Sequence, residues 1–294
     1  MTILRSLLFA PANHGRHAAK ALASSADGTI LDLEDAVAVA EKPAARIAAR
    51  QLVENRPAGG PKAFVRINAL STPFTYDDLQ AVVVSGLDGI ILPKTESAEQ
   101  VAIVDWLLRQ LERARGLQEG SIDLMPIIET ALGLSAVREI ATASTRVRRL
   151  NFGSVDFSLD TNMTATPGHE GILWARIQLV IASRAVGLEP PIDTVFPDLN
   201  DLDGLTQEAA KAKSLGFQGK ACIHPNQVQI VNHVFTPSQE EIAQAQQIID
   251  AFEAAITAGS ASIRVGGQFI DYPVADKARR IIELGRQSER GNRT

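Results

Sequence analysis

Eight short runs rich in Ile, Leu, Val and Phe, each followed by a stretch of helical periodicity, constrain this chain more than any other feature. The runs cover residues 4–10, 29–33, 63–68, 89–94, 123–129, 149–156, 192–196 and 219–224. Most are continuous in apolar residues instead of alternating with polar ones, as expected of parallel strands covered on both faces. Helical patterns over 43–54, 98–115, 171–186 and 202–215 lie between them. Such alternation predicts an α/β fold, a closed parallel (β/α)8 TIM barrel. At 294 residues the chain is long enough for one such barrel.

The alternation ends near residue 236, so residues 1–236 read as the barrel and 237–294 as a helical extension carrying a lid segment. Residues 238–258 form one amphipathic pattern, started by Pro237-Ser238 and stopped by Gly259. A small polar segment, 259–267, a short run over 268–273 and a final helix follow.

The formal net charge of -5 argues against a nucleic-acid partner, which rewards a basic face. A single cysteine, Cys222, excludes an internal disulfide framework and a cysteine-built zinc cage; its apolar neighbours suggest a buried strand position. The first residues lack a signal-peptide layout, and no apolar run is long enough to span a bilayer, so no membrane partner and a cytoplasmic location are expected.

Charged residues fall where the apolar runs end: Asp32-Leu33-Glu34-Asp35, Arg66-Ile67-Asn68, Pro93-Lys94, Glu129-Thr130, Asp156 and His224-Pro225. In a barrel of this kind those ends converge on one mouth, where active sites are built. Any one of these residues could be a loop residue or a helix cap, and Thr130 reads as a cap. Taken together, several carboxylates at one mouth repel one another unless a cation neutralises them. Hard oxygen ligands of this kind suit Mg²⁺ or Mn²⁺.

The sequence resembles the citrate lyase β-subunit-like family of the HpcH/HpaI aldolase superfamily, which includes malyl-CoA and citramalyl-CoA lyases. The matching segments begin with Arg5-Ser6-Leu7-Leu8-Phe9-Ala10-Pro11-Ala12-Asn13 and Asp32-Leu33-Glu34-Asp35-Ala36-Val37. Val65-Arg66-Ile67-Asn68, Leu92-Pro93-Lys94, Ile128-Glu129-Thr130 and Phe152-Gly153-Ser154-Val155-Asp156 follow in order. Gly219-Lys220-Ala221-Cys222-Ile223-His224-Pro225 and Ile270-Asp271-Tyr272-Pro273 complete the set, which spans essentially the whole chain.

The resemblance implies a metal-dependent carbon–carbon lyase acting on a β-hydroxyacyl-CoA, with coenzyme A entering as part of the substrate. It assigns the metal to Glu129 and Asp156, with Glu34 and Asp35 supporting metal-bound waters or Arg66. For Glu34 a plain turn between strand and helix stays open. Arg66 is the substrate arginine in this pattern, its planar fork suited to a carboxylate or an enolate oxygen; a structural pairing with Asp32 or Asp35 is the alternative. Phe9 would pack near the thioester arm, and Arg16 and Lys20, spaced i,i+4 on one helix face, match positions that meet the phosphates. Ile223 and His224 match positions lining the acyl side, although a histidine before proline is often a structural hydrogen-bonder. Asp271 matches an acid/base aspartate that reaches a neighbouring subunit's mouth, which implies a homo-oligomer, a trimer or a hexamer. His14 and the polar stretch 158–163 depart from the pattern, the latter beside the acyl pocket.

Three other readings remain at this level. One is a citrate lyase β subunit working on a carrier-bound citryl thioester. A second is a metal-dependent 2-keto-acid aldolase without a thioester, and a third is a non-catalytic acyl-CoA-binding protein.

Overall fold

In the computed structural model, which describes residues 3–164 and 170–291, residues 3–233 make one compact unit and residues from 234 onward a second. The first unit is a closed barrel of eight parallel strands in sequence order. They are β1 (Ser6–Pro11), β2 (Gly28–Asp32), β3 (Lys62–Arg66), β4 (Gly89–Leu92), β5 (Asp123–Ile128), β6 (Asn151–Phe152), β7 (Ile192–Asp193) and β8 (Gly219–Cys222). β1 pairs with both β2 and β8, which closes the ring and leaves no open edge.

Inward-facing residues fill the barrel. Leu4, Leu7, Ile30, Phe64, Ile91, Met125, Ile127 and Ile192 form one buried cluster, with Phe9 packed against it. The ring of Phe64 fits because both neighbouring strands carry glycine beside it. A Cβ on Gly28 would stand 3.0 Å from the ring, and one on Gly89 would stand 2.8 Å from it. Alanine at either position therefore forces an aromatic ring in a close-packed core to move.

Between barrel and helices lies an ionic network with no solvent access to speak of. Arg176, on the helix Glu170–Ala185, grips Asp193 of β7 through two hydrogen bonds of 2.8 and 2.9 Å. Lys220 of β8 reaches Asp193 and Glu208 at 2.8 Å each, and Arg176 also meets Glu208, on the helix Leu202–Leu215. Two cations face two carboxylates, so the network is neutral and ties β7 and β8 to two helices. Cys222 is buried in β8, and burial pushes its thiol up to about 12, which makes it an inert core residue.

The last barrel strands are shorter than their apolar runs. The expected strand over 149–156 pairs only at Asn151–Phe152, and the chain then turns at Gly153 into the helix Ser154–Asp160. The run 192–196 likewise pairs only at Ile192–Asp193, and 219–224 at Gly219–Cys222. Hydrophobicity marks burial, whereas pairing stops where the backbone turns to enter the next helix.

The second unit holds the helix Gln239–Thr257, a hairpin of Ile263–Val265 and Gln268–Ile270, and the helix Tyr272–Gly291. Ser238 and Glu241 form a reciprocal capping box, as expected from the Pro237-Ser238 start. The segment 259–267, read as merely polar, supplies one strand of the hairpin because Gly266 and Gly267 adopt the left-handed backbone of its turn. Ala245, Ile249, Ala278 and Ile282 bury the facing sides of the two helices.

The buried network leads to a stability prediction. Lys220→Met leaves Asp193 and Glu208 with one of the network's two cations removed, an excess of buried negative charge, so urea unfolding should show a loss of about 3–5 kcal/mol. A loss below about 1 kcal/mol would contradict the network's role.

Candidate active site at the barrel mouth

The strand ends of β1, β3, β5, β6, β7 and β8 enclose a small cavity. Phe9, Arg66, Glu129, Asn151, Asp156 and Thr194 are among its lining residues. Glu129 directly follows β5, and Gly153 lies beside it after β6; a Cβ there would come within 2.4 Å of the Glu129 carboxylate. Glycine at 153 therefore makes room for that carboxylate. Asp156 enters the cavity from the first turn of the helix Ser154–Asp160, so it is a helix residue and not the strand terminus that its apolar run suggested. Adjacent elements thus bring both carboxylates to one space.

Glu129 is nearly inaccessible, at 3% exposure. Its Oε1 accepts the backbone N–H of Lys94 at 2.7 Å. Burial, and next the negative charge of Asp156, push its carboxyl up to about 8, against the opposing pull of that N–H and of Arg66. Two carboxylates sharing one cavity are the donor set of a hard cation that takes few carboxylates and keeps oxygen ligands from solvent or substrate. Among the described residues no group of three or more His, Cys, Asp or Glu is arranged as a complete metal cage. The pair fits a hard cation such as Mg²⁺ or Mn²⁺.

Arg66, at the end of β3, is held from three sides. Its Nε and Nη2 donate to the two oxygens of Asp32 at 2.7 Å each, and Nη1 lies 3.1 Å from Glu34 Oε2. The guanidinium stands over the Phe9 ring at 4.9 Å. Burial would weaken its charge, but Asp32 outweighs that and holds the guanidinium protonated. Burial also acts on Asp32, where Arg66 wins and keeps the carboxyl below its ordinary range. Arg66 thus makes the structural pairing with Asp32 and also lines the cavity.

Lys94 was not among the candidate site residues, although its motif was visible. Its backbone has a φ of 47°, one of two non-glycine residues with positive φ among those described. That conformation aims the N–H at Glu129 while the side chain runs to the other acids. The ammonium meets Glu34 Oε1 at 2.6 Å, Asp35 Oδ2 at 3.5 Å and Asp156 Oδ1 at 3.9 Å. Burial drives the Glu34 carboxyl upward, partly offset by Arg66 and Lys94. Glu34 is buried between these cations, whereas Asp35 is exposed.

Asn151 is a second residue absent from the sequence candidates. It is buried in β6, lines the cavity, and its Oδ1 has no hydrogen-bond partner. An amide inside a barrel has no sequence signature, since Asn151 is one polar residue within the strand run 149–156.

Other expected residues of the first unit are not among those lining this cavity. Arg16 and Lys20 are exposed on the short helix Gly15–Ala21. Ile223 is exposed just after β8. His224 uses Nδ1 to accept the N–H of Asn226 at 3.2 Å, at the start of the helix Pro225–Phe235. Thr130 caps the helix Ala131–Ser135 by accepting the Gly133 N–H. Asp271 belongs to the second unit, where its Oδ1 accepts the Val274 N–H at 3.3 Å at the start of Tyr272–Gly291.

Comparison with known proteins is consistent with this arrangement. Residues 5–225 match the HpcH/HpaI aldolase/citrate lyase family. The chain is 37% identical over 280 residues to citrate lyase subunit beta of Leuconostoc mesenteroides subsp. cremoris, covering 95% of this chain and 92% of that protein. It is 36% identical over 306 residues to L-malyl-CoA/beta-methylmalyl-CoA lyase of Rhodobacter capsulatus, covering 97% and 94%. A crystal structure of CitE from Mycobacterium tuberculosis, in complex with magnesium, acetoacetate and coenzyme A, superposes with a TM-score of 0.79 at 31% identity, covering 96% of this chain and 98% of that one. The chain belongs to the HpcH/HpaI aldolase/citrate lyase family. It is an enzyme of the carbon–carbon lyase class.

Two predictions follow from the cavity's electrostatics. Without a cation, the folded protein holds the Glu129 proton more tightly than an unfolded chain does. Metal-free stability should therefore fall as pH rises from the ordinary glutamate range toward about 8. A cation bound there must displace that proton, so titration calorimetry should show Mg²⁺ affinity weakening below about pH 8 with proton release on binding; pH-independent binding without proton release would contradict it. Second, Asn151→Leu replaces an unsatisfied amide by an apolar group of similar shape. Urea unfolding should show unchanged or higher stability, by up to about 1–3 kcal/mol; a loss above about 1 kcal/mol would show that the amide is satisfied within the fold.

Proposed function

We propose that this enzyme is a Mg²⁺-dependent lyase that cleaves, or in reverse forms, a β-hydroxyacyl-CoA such as malyl-CoA or citramalyl-CoA, giving acetyl-CoA and a 2-keto acid. The observation that carries this reading is the convergence of Glu129, Asp156 and Arg66 on one cavity at the barrel mouth. The relatives named as malyl-CoA lyases, and the CitE crystal structures holding magnesium with coenzyme A or pyruvate, support the choice of cation and substrate class.

The residues divide the work. Glu129 and Asp156 would hold the cation, with Lys94 fixing Glu129 through its N–H and Glu34 and Asp35 through its ammonium. A bound divalent cation supplies Lewis-acid polarisation of substrate oxygens. Arg66, preset by Asp32 and the Phe9 ring, presents fixed positive charge where the thioester enolate develops. Preorganised charge of this kind is the large contribution in such sites, because it needs no rearrangement during reaction. Phe9 forms part of the apolar wall that keeps water from that enolate. Arg16 and Lys20 would meet the coenzyme phosphates, and Ile223 and His224 would border the acyl arm. Asp271 would carry the proton to or from the acetyl methyl carbon. That last role assigns the segment from residue 237 onward to a lid over a neighbouring copy's mouth, in a homo-oligomer, a trimer or a hexamer. A cytoplasmic location fits substrates of this class.

The second reading is a citrate lyase β subunit acting on a carrier-bound citryl thioester. It is favoured by the relatives of that name at 33–37% identity across nearly the whole chain. Activity on free acyl-CoA esters without partner subunits distinguishes the two.

Glu129→Ala and Asp156→Ala should each abolish cleavage of malyl-CoA and citramalyl-CoA in saturating Mg²⁺; near-normal turnover in either refutes the cation assignment. Asp271→Ala should retain Mg²⁺ binding yet stop exchange of the acetyl-CoA methyl hydrogens with deuterated solvent. Unchanged exchange would remove Asp271 from the mechanism.

A further inference from the structure

The two carboxylates that share the cavity are not held in the same way. Glu129 directly follows β5 and is fixed by the Lys94 N–H. Asp156 rides on the helix Ser154–Asp160, an element of seven residues of which only Phe157 is buried. Val155 and Leu159 on the same helix are 54% and 81% exposed, so apolar packing holds it mainly where Phe157 meets the Phe152 ring. A helix this short has little stability of its own. Its place, and with it that of Asp156, depends on what ties its two ends.

The first end lacks the usual tie. Its N-cap is Gly153, which has no side chain to accept a first-turn N–H. Glycine is required there because a Cβ would strike the Glu129 carboxylate. Another strand supplies the missing acceptor. Thr194, buried just past β7, accepts the Ser154 N–H through Oγ1 at 3.0 Å and the Ser154 hydroxyl at 2.9 Å. Thr194 is itself anchored, since it follows Asp193, which Arg176 and Lys220 hold in the buried network.

The second end is tied by Asp160, whose Oδ2 accepts the Ala131 N–H at 2.7 Å. That N–H opens the helix Ala131–Ser135 and has no partner inside it. Ala131 lies two residues beyond Glu129, and Asp160 four beyond Asp156. One hydrogen bond thus joins the two segments that carry the carboxylates.

We propose that Thr194 and Asp160 are positioning residues that brace the helix Ser154–Asp160 at its two ends and so hold Asp156 in reach of the cation shared with Glu129. This rests on the cation reading above and goes beyond it by naming what sets the pair's geometry. The effect of both residues passes through the helix backbone to Asp156. A ligand held in place beforehand binds more tightly than one that the cation must order for itself.

Mg²⁺ binding to the full chain, measured by titration calorimetry without substrate beside the urea midpoint of the metal-free protein, tests the brace. Asp160→Ala and Thr194→Val should each weaken Mg²⁺ binding by about ten-fold or more. Asp160 is exposed, so Asp160→Ala should do so with its urea midpoint unchanged. Asp160→Asn and Thr194→Ser each keep an acceptor oxygen and should stay within about three-fold of the wild type, short of the loss expected when a support is removed. Wild-type affinity in either Asp160→Ala or Thr194→Val would overturn the brace. Binding by Asp160→Asn as weak as that of Asp160→Ala would also overturn it, by showing that the residue acts through its charge. A wild type that binds no Mg²⁺ would overturn the cation reading and the brace together, an outcome separate from a wild type and variants that all bind it equally.

Discussion

The barrel mouth is organised by unbalanced negative charge. Asp32, Glu34, Asp35, Glu129 and Asp156 gather around two cations, Arg66 and Lys94. Arg66 is committed to Asp32 and Glu34, and the shortest contact of Lys94 is to Glu34. Neither cation is left to neutralise Glu129 and Asp156 together. Burial first, and the charge of Asp156 second, push the Glu129 carboxyl upward. A divalent cation held by Glu129 and Asp156 would offset that charge. The site is thus incomplete by construction.

The same chain contains the opposite case. Arg176, Lys220, Asp193 and Glu208 set two positive charges against two negative ones, close enough for direct hydrogen bonds and shut away from water. That arrangement leaves nothing for a ligand to supply, and its effect is to lock β7 and β8 onto the helical layer. Both clusters perturb titration, so perturbation alone does not separate function from structure. The net charge and the open cavity do.

Much of this was legible in the residues. Continuous apolar runs with helices between them predict the eight-stranded barrel, and polar residues at the run ends predict its mouth. Glu129 and Arg66 stand there because each directly follows or ends a strand. Asp156 reaches the mouth by another route, from a helix that begins where the backbone leaves the sheet, and an apolar run cannot announce that turn. Lys94 was legible as a mouth residue but not its role, which depends on a left-handed backbone at a lysine that composition does not signal. Asn151 escaped because its importance is a missing hydrogen bond, a property of three-dimensional surroundings. Asp271 is the reverse case: its motif resembles the family pattern, while within its own unit it caps a helix.

The central claim is that Glu129 and Asp156 together hold one hard cation. Anomalous diffraction from crystals soaked in Mn²⁺ tests it most directly. A single strong peak within bonding distance of both carboxylates is predicted. A saturating soak that leaves no peak there, or that places the ion against other side chains, would contradict it.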